Sequence, residues 1–443
     1  MSDSACQRKH YLLLTEEKPN IDEIRVVMQA VDSPIDSTIS NDDLTWSNEG
    51  GQFSWMLILT HFTVHIRLFK GRTSSLDYLL FNYTDETPNA GDALCVLEST
   101  KTTDKSSRNT SVFQRISKFT TFRKMFPQSK TIMIMFWLCS SKDCWETLTP
   151  TAEFGFRMYA TLNVHLSIMR RDNIVDLTEQ HNIRAFTTAE ELVRCKNSMK
   201  EKKGNQSIKI TPSHNTFQIS LKLDKGKGRD AGRITNDPNV GLLCGLINCL
   251  NKLSIKSRYI IENHGITRDY FAKNPKNKLL YSLDGINIEF EGINNFNPPA
   301  LEDSYFKPLE KPSEKDATII YETISKDETI FSNHGGCALS YIKCPNGTRC
   351  VERKMHRPDI VFANRDEKKL LVIEGKMVSC ISKAIDQLGE YIDDFINMLK
   401  QEYPDYRIEK GLCIMADSIS EIDYDQPYPI KFVLDRNFKF VLV

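Results

Sequence analysis

The stretch MHRPDIVFANRDEKKLLVIEGK, residues 355–376, decides how this chain is read. Pro358 and Asp359 open a short apolar run, Ile360-Val361-Phe362. A polar turn, NRDEKK (364–369), follows, and a second apolar run, LLVIEGK (370–376), ends on Glu374, Gly375 and Lys376. Two apolar runs around a polar turn predict a β-hairpin. Residues i and i+2 of a strand share a face, so Glu374 and Lys376 point the same way. Asp359, at the start of the partner strand, can meet them across the ladder. Two neighbouring carboxylates make a hard-oxygen site suited to Mg²⁺, with Mn²⁺ as a substitute. Such an ion lowers the pKa of a bound water and steadies a phosphorane-like transition state. The Lys376 ammonium can orient the attacking water or neutralise developing charge. This is equipment for phosphodiester hydrolysis. A solvated salt bridge on a surface hairpin is the plainer alternative. Pro-Asp, a gap of fourteen residues and Glu-Gly-Lys closing an apolar strand are jointly unusual and favour the site.

The frame around the hairpin is an ordinary globular chain. It has 443 residues, 58 Lys+Arg against 58 Asp+Glu, and 40% hydrophobic residues. The length allows several domains, and the composition excludes a disordered chain or a disulfide scaffold. Twelve cysteines contain no CxxC pair, and the tightest trio is Cys337, Cys344 and Cys350. Reduced thiols are expected, not a zinc site. The longest apolar run, IMIMFWLC (132–139), has eight residues, well short of the roughly twenty that a membrane span needs. The N-terminal MSDSACQRKH lacks an apolar signal segment. A cytoplasmic, reducing location without membrane contact is therefore expected. Zero net charge means that any nucleic-acid surface must be local.

Pro358-Asp359 and Glu374-Gly375-Lys376 resemble the signature of the PD-(D/E)xK nuclease superfamily. The segment SKAIDQLGEYIDDFINML (382–399) carries Gln387 and Tyr391, four apart and on one face of the expected helix. It is similar to a Gln-x-x-x-Tyr element in some members, in which the Gln supports the active site. The resemblance covers about 75 residues around the motif. It implies a mixed α/β sheet flanked by helices, a Mg²⁺-dependent nuclease activity, Asp359 and Glu374 as metal ligands, and Lys376 as their catalytic partner.

A second hairpin is expected nearer the N-terminus. Asp77 begins DYLLFNY, twenty residues lie between it and Glu98, and ALCVLESTK ends in Glu98, Ser99, Thr100 and Lys101. Asp77, Glu98 and Lys101 are the second-site candidates. Ser99 departs from the motif, and strand alternation sets Glu98 and Lys101 on opposite faces unless a bulge intervenes. The run ESTKTTDKSSRNTSVFQR resembles a block of some type II restriction endonucleases. Residues 100–130 hold eight basic residues against Asp104, a local charge of 8 − 1 = +7. Residues 194–233 hold eleven against three, so 11 − 3 = +8. Basic runs of this kind track a phosphate backbone or simply form a solvated face. Arg108, Asn109, Arg115, Lys118, Lys222, Lys225, Lys227 and Arg229 are the DNA-contact candidates. NDPNVG (236–241) starts a helix, by ordinary N-capping or with a phosphate at its N–H groups. His334, in SNHGG, is a turn residue or a further catalytic candidate.

Three regions are expected: 1–180, an α/β unit and candidate second nuclease-like domain; 181–300, a basic DNA-recognition region; and 301–443, the nuclease domain with Asp359, Glu374 and Lys376. Together they predict a type II-like restriction endonuclease that cuts double-stranded DNA at a short sequence. It would work either as a homodimer or as a monomer with two sites. The alternatives are a structure-specific repair or recombination nuclease and an inactive DNA-binding protein on a nuclease fold. No GxxxxGK[ST] motif is present, which argues against an ATP-driven translocating nuclease.

Overall fold

A computed structural model describes residues 8–48, 53–71, 76–102, 112–113, 115–120, 122, 130–137, 148–170, 173–198, 209–213, 216–224, 237–253, 257–264, 288–290, 306–308, 313–325, 327–333, 341–351 and 355–443. They form a mixed α/β structure with two large mixed sheets. The N-terminal sheet is ordered β2-β3-β4-β1-β5-β6-β7-β8-β9. Its strands are β1 (Lys9–Thr15), β2 (Thr45–Ser47), β3 (Ser54–Ile58), β4 (Phe62–Gly71), β5 (Tyr78–Asn82), β6 (Cys95–Thr102), β7 (Lys130–Trp137), β8 (Val164–Arg170) and β9 (Asn173–Asp176). Strands β10 (Lys209–Ser213), β11 (Thr216–Asp224), β12 (Ser257–His264) and β13 (Ile288–Phe290) form a separate four-stranded sheet. Strand β14 (Phe306–Pro308) returns to pair with β4.

The C-terminal sheet is ordered β15-β18-β19-β20-β21-β22. These strands are β15 (Glu328–Ser332), β18 (Ile360–Asn364), β19 (Lys369–Met377), β20 (Arg407–Ala416), β21 (Ile430–Asp435) and β22 (Phe440–Leu442); β16 (Tyr341–Cys344) and β17 (Gly347–Cys350) make a small hairpin beside them. Pairing along this sheet runs antiparallel, antiparallel, parallel, parallel, antiparallel. The path β1-β5-β6-β7-β8-β9 runs through the same five directions. The two halves of the chain therefore contain the same six-strand arrangement.

Strand alternation gives each sheet two faces. Tyr78, Leu80 and Leu97 of one sheet and Ile360, Phe362 and Ile373 of the other lie in one shared core. Helices α1 (Ile21–Ala30) and α4 (Glu314–Ser325) also belong to it. The opposite face of the N-terminal sheet, with Leu79 and Val96, packs against α2 (Pro150–Thr161), α3 (Asp237–Lys252) and the helical residues 115–120. The opposite face of the C-terminal sheet, with Val361 and Val372, packs against α5 (Ile381–Asp386) and α6 (Asp393–Glu402). Burying a large apolar side chain is worth roughly 1.5–3 kcal/mol, so these faces fix the register of both hairpins.

One expectation needs correction. The helix expected across 382–399 is interrupted: α5 leads into a π-helical turn, Gln387–Tyr391, before α6. The wide turn redirects the Leu388 carbonyl, which accepts hydrogen bonds from Lys410 Nζ (2.6 Å) and the Tyr428 hydroxyl (3.2 Å). Leu242, Leu246 and Ile247 of α3 are buried with the N-terminal sheet. Among the described residues, Cys95, Cys244, Cys249 and Cys413 are buried as core residues. No described helix is long and apolar enough to cross a membrane.

Candidate functional site

The hairpin read from residues 355–376 forms as β18 and β19, in register from Ile360 opposite Ile373 to Asn364 opposite Lys369. Glu374 follows Ile373, so it leaves the shared core and faces α5. Its side chain is 1% exposed. Asp359 stands just before β18, and its backbone N–H donates to Glu374 Oε2 at 3.2 Å. Its own Oδ2 accepts from the Gly375 N–H at 2.9 Å. Lys376 Nζ donates to Asp359 Oδ2 at 3.0 Å, to Glu374 Oε1 at 2.8 Å and to the Gly375 carbonyl at 2.7 Å.

Two carboxylate oxygens and one carbonyl oxygen thus converge on a single cation. Burial, and then the nearby Asp359 charge, push the Glu374 carboxyl up to about 8. Burial pulls Lys376 down, but the Asp359 and Glu374 charges outweigh it and hold the ammonium above its ordinary range. The site therefore calls for positive charge. The donors are all hard oxygens, which fits Mg²⁺ held by one or two carboxylates with waters and substrate oxygens completing the shell. Among the described residues no three His, Cys, Asp or Glu side chains converge, so all-protein coordination by such side chains is not built here.

A second carboxylate pair occupies the matching place in the N-terminal sheet. Tyr78 pairs with Leu97 as Ile360 pairs with Ile373. Asp77 and Glu98 therefore occupy the ladder positions of Asp359 and Glu374. The Ser99 N–H donates to Asp77 Oδ2 at 2.7 Å, matching the Gly375 bond to Asp359. The Asp77 carbonyl accepts from the Glu16 N–H at 3.2 Å, as the Asp359 carbonyl does from Asn333 at 2.8 Å. Glu98 is 1% exposed, and burial followed by the Asp77 charge raises its carboxyl to about 7. Asp77 is raised by burial, with Lys118 opposing.

The lysine differs. Thr100 stands two residues after Glu98, and Lys101 takes the ladder position of Met377, one step too far. Lys118 instead reaches Glu98 from the helical residues 115–120, with Nζ 2.7 and 2.8 Å from its two oxygens. Arg115 Nε lies 3.2 Å from the same carboxylate. Arg115 and Lys118, expected as contacts to a phosphate track, are thus engaged at Glu98. Their three-residue spacing puts them on one helical face, and a threonine at the lysine position was the signal to search that helix.

Gln387 lines a cavity of about 250 Å³ with His356, Arg357, Tyr391 and Ile392. His356 was not singled out from the sequence, although it precedes the motif by two residues. Lys222 is on β11, paired in register with Glu262. Arg108, Asn109, Lys225, Lys227, Arg229 and His334 lie outside the described residues. In comparison with known proteins, the chain matches no family model, no curated protein and no solved structure.

Proposed function

We propose that this protein is a Mg²⁺-dependent endonuclease of PD-(D/E)xK type that hydrolyses phosphodiester bonds of double-stranded DNA at a short sequence, in the manner of a type II restriction enzyme. One observation carries this reading: Asp359, just before β18, and Glu374 and Lys376 of β19 converge through hydrogen bonds of 2.8–3.0 Å at the end of a buried hairpin. Asp359 and Glu374 would hold the ion, with the Gly375 carbonyl beside them. Bound there, Mg²⁺ would supply Lewis-acid polarisation of the phosphate and a more acidic water. Lys376 steadies the charge that grows on the phosphoryl oxygens. The Gly375 N–H and the Asp359 N–H fix the two carboxylates before substrate arrives. The water oxygen bonds to phosphorus, one ester P–O bond breaks, the water gives up its proton, and the departing ester oxygen gains one.

The local charge of +8 over residues 194–233 supports duplex DNA as substrate, because the phosphate backbone needs concentrated positive charge. The test is incubation of the purified protein with phage DNA and Mg²⁺, followed by sequencing of the fragment ends. Discrete fragments with a shared end sequence, lost in excess chelator, are expected. Undiminished cutting in chelator would exclude the mechanism, and ends without a common sequence would exclude the site-specific reading.

A further inference from the structure

Resting on that nuclease reading, we propose that the N-terminal unit is a second phosphodiester-hydrolysing centre, formed by Asp77, Glu98 and Lys118, so that one chain carries a centre for each strand of a duplex. Lys118 is delivered from the helix that follows β6 and replaces the strand lysine of the C-terminal centre.

Three independent features meet here. The first is position: the two Asp-Glu pairs share a six-strand path, a ladder register and two backbone hydrogen bonds. The second is charge. Lys118 Nζ meets Glu98 at 2.7 Å and Lys376 Nζ meets Glu374 at 2.8 Å, so an ammonium reaches the same carboxylate by two different routes. A buried ion pair is often no more stabilising than apolar residues of similar volume. A scaffold strand would therefore gain little from burying Glu98 under two partly exposed cations. The third is placement. Leu97 and Ile373, the residues before the two glutamates, lie in the same shared core. The equivalent faces of the two sheets thus belong to one core, together with α1 and α4. Two antiparallel DNA strands require two centres.

The step balances as in the C-terminal centre: water oxygen bonds to phosphorus, an ester P–O bond breaks, and protons move from the water and to the departing oxygen, with no change of redox state. Asp77 and Glu98 would hold the divalent ion, and Lys118 and Arg115 would face the phosphate.

The test has two arms on the full-length protein, with circular dichroism to confirm the fold of each variant. Bound Mn²⁺ is counted by electron paramagnetic resonance titration. Glu98→Gln and Glu374→Gln should each lose half of the wild-type complement, and the double variant should lose all of it. Plasmid products are then mapped strand by strand in Mg²⁺. Wild type should linearise the plasmid. Glu98→Gln and Lys118→Ala should leave circles nicked on one strand, Glu374→Gln should nick the opposite strand, and Lys118→Arg should restore part of the lost cut. Full Mn²⁺ binding by Glu98→Gln, or linearisation at the wild-type rate by Lys118→Ala, would overturn the proposal. Loss of the cut in Lys101→Ala with its persistence in Lys118→Ala would overturn the lysine assignment. A wild-type protein that cuts no DNA overturns the nuclease reading itself, whereas one that linearises plasmid without Glu98 overturns only the second centre.

Discussion

Lys376 touches both carboxylates of its centre, and its removal has a defined consequence. Without the ammonium, Asp359 and Glu374 still present their oxygens to a divalent ion, but the phosphoryl charge loses a fixed partner. Lys376→Ala should therefore slow DNA cleavage by about 10²–10³, the cost of one electrostatic stabiliser, and retain Mn²⁺ binding. Asp359→Ala should lose both the cut made by this centre and its share of the bound Mn²⁺. Single-turnover cleavage with Mn²⁺ titration separates the two roles; Mn²⁺ binding lost in Lys376→Ala would show that lysine acts by holding the site together. The motif residues were legible because alternation and turn chemistry act within about twenty residues of chain. Lys118 as a site residue was not, because its approach to Glu98 depends on how a helix packs over the sheet. The lysine nearest Glu98 in sequence, Lys101, takes the ladder position of Met377 instead.

The helix that brings Lys118 rests on glycines. A Cβ at Gly155 of α2 would lie 2.3 Å from Val112 Cγ1, and one at Gly245 of α3 would lie 2.7 Å from Ile116 Cδ1. Both contacts are with buried branched side chains next to Arg115 and Lys118. Gly155→Ala should cost about 1–3 kcal/mol by overpacking, read as a shift in the urea midpoint. It should also lower N-terminal cutting more than C-terminal cutting. A neutral midpoint, or equal loss of both cuts, would separate this packing from the site. The hairpins themselves were legible from their apolar runs and polar turns. The π turn at Gln387–Tyr391 was not, because a four-residue spacing suits an α-helix equally well. Its Leu388 carbonyl is held by Lys410 and Tyr428, which are distant in sequence. The extent of the N-terminal core was hidden for a similar reason: α3 looks like the start of a new region and folds back onto the old one.

At the scale of the whole chain, zero net charge conceals strong local asymmetry. Residues 194–233 carry +8, and a protein that binds phosphates through several such residues releases counterions. The slope of log K against log salt should be about −0.9 per phosphate contact, measured by fluorescence anisotropy on a duplex. A slope near zero would refute localised backbone binding. Two centres in one chain also predict that plasmid linearisation is first order in protein, with a rate per chain independent of concentration. A rate per chain that rises with concentration would point to pairing of two chains. The repeated six-strand path was only half visible in the sequence. Asp77 and Glu98 marked the second hairpin, but the match extends through β7, β8 and β9, whose strand directions no local pattern encodes.

The central claim is that the buried hairpin of residues 359–376 breaks phosphodiester bonds. Its most direct test is the strand-resolved cleavage of phage DNA in Mg²⁺ by wild type and by Glu374→Ala, with circular dichroism to verify the fold. The account predicts that wild type cuts and that the folded variant no longer cuts the strand served by this centre, with a rate at least about 10² lower. A folded Glu374→Ala protein that cuts both strands at the wild-type rate would contradict it.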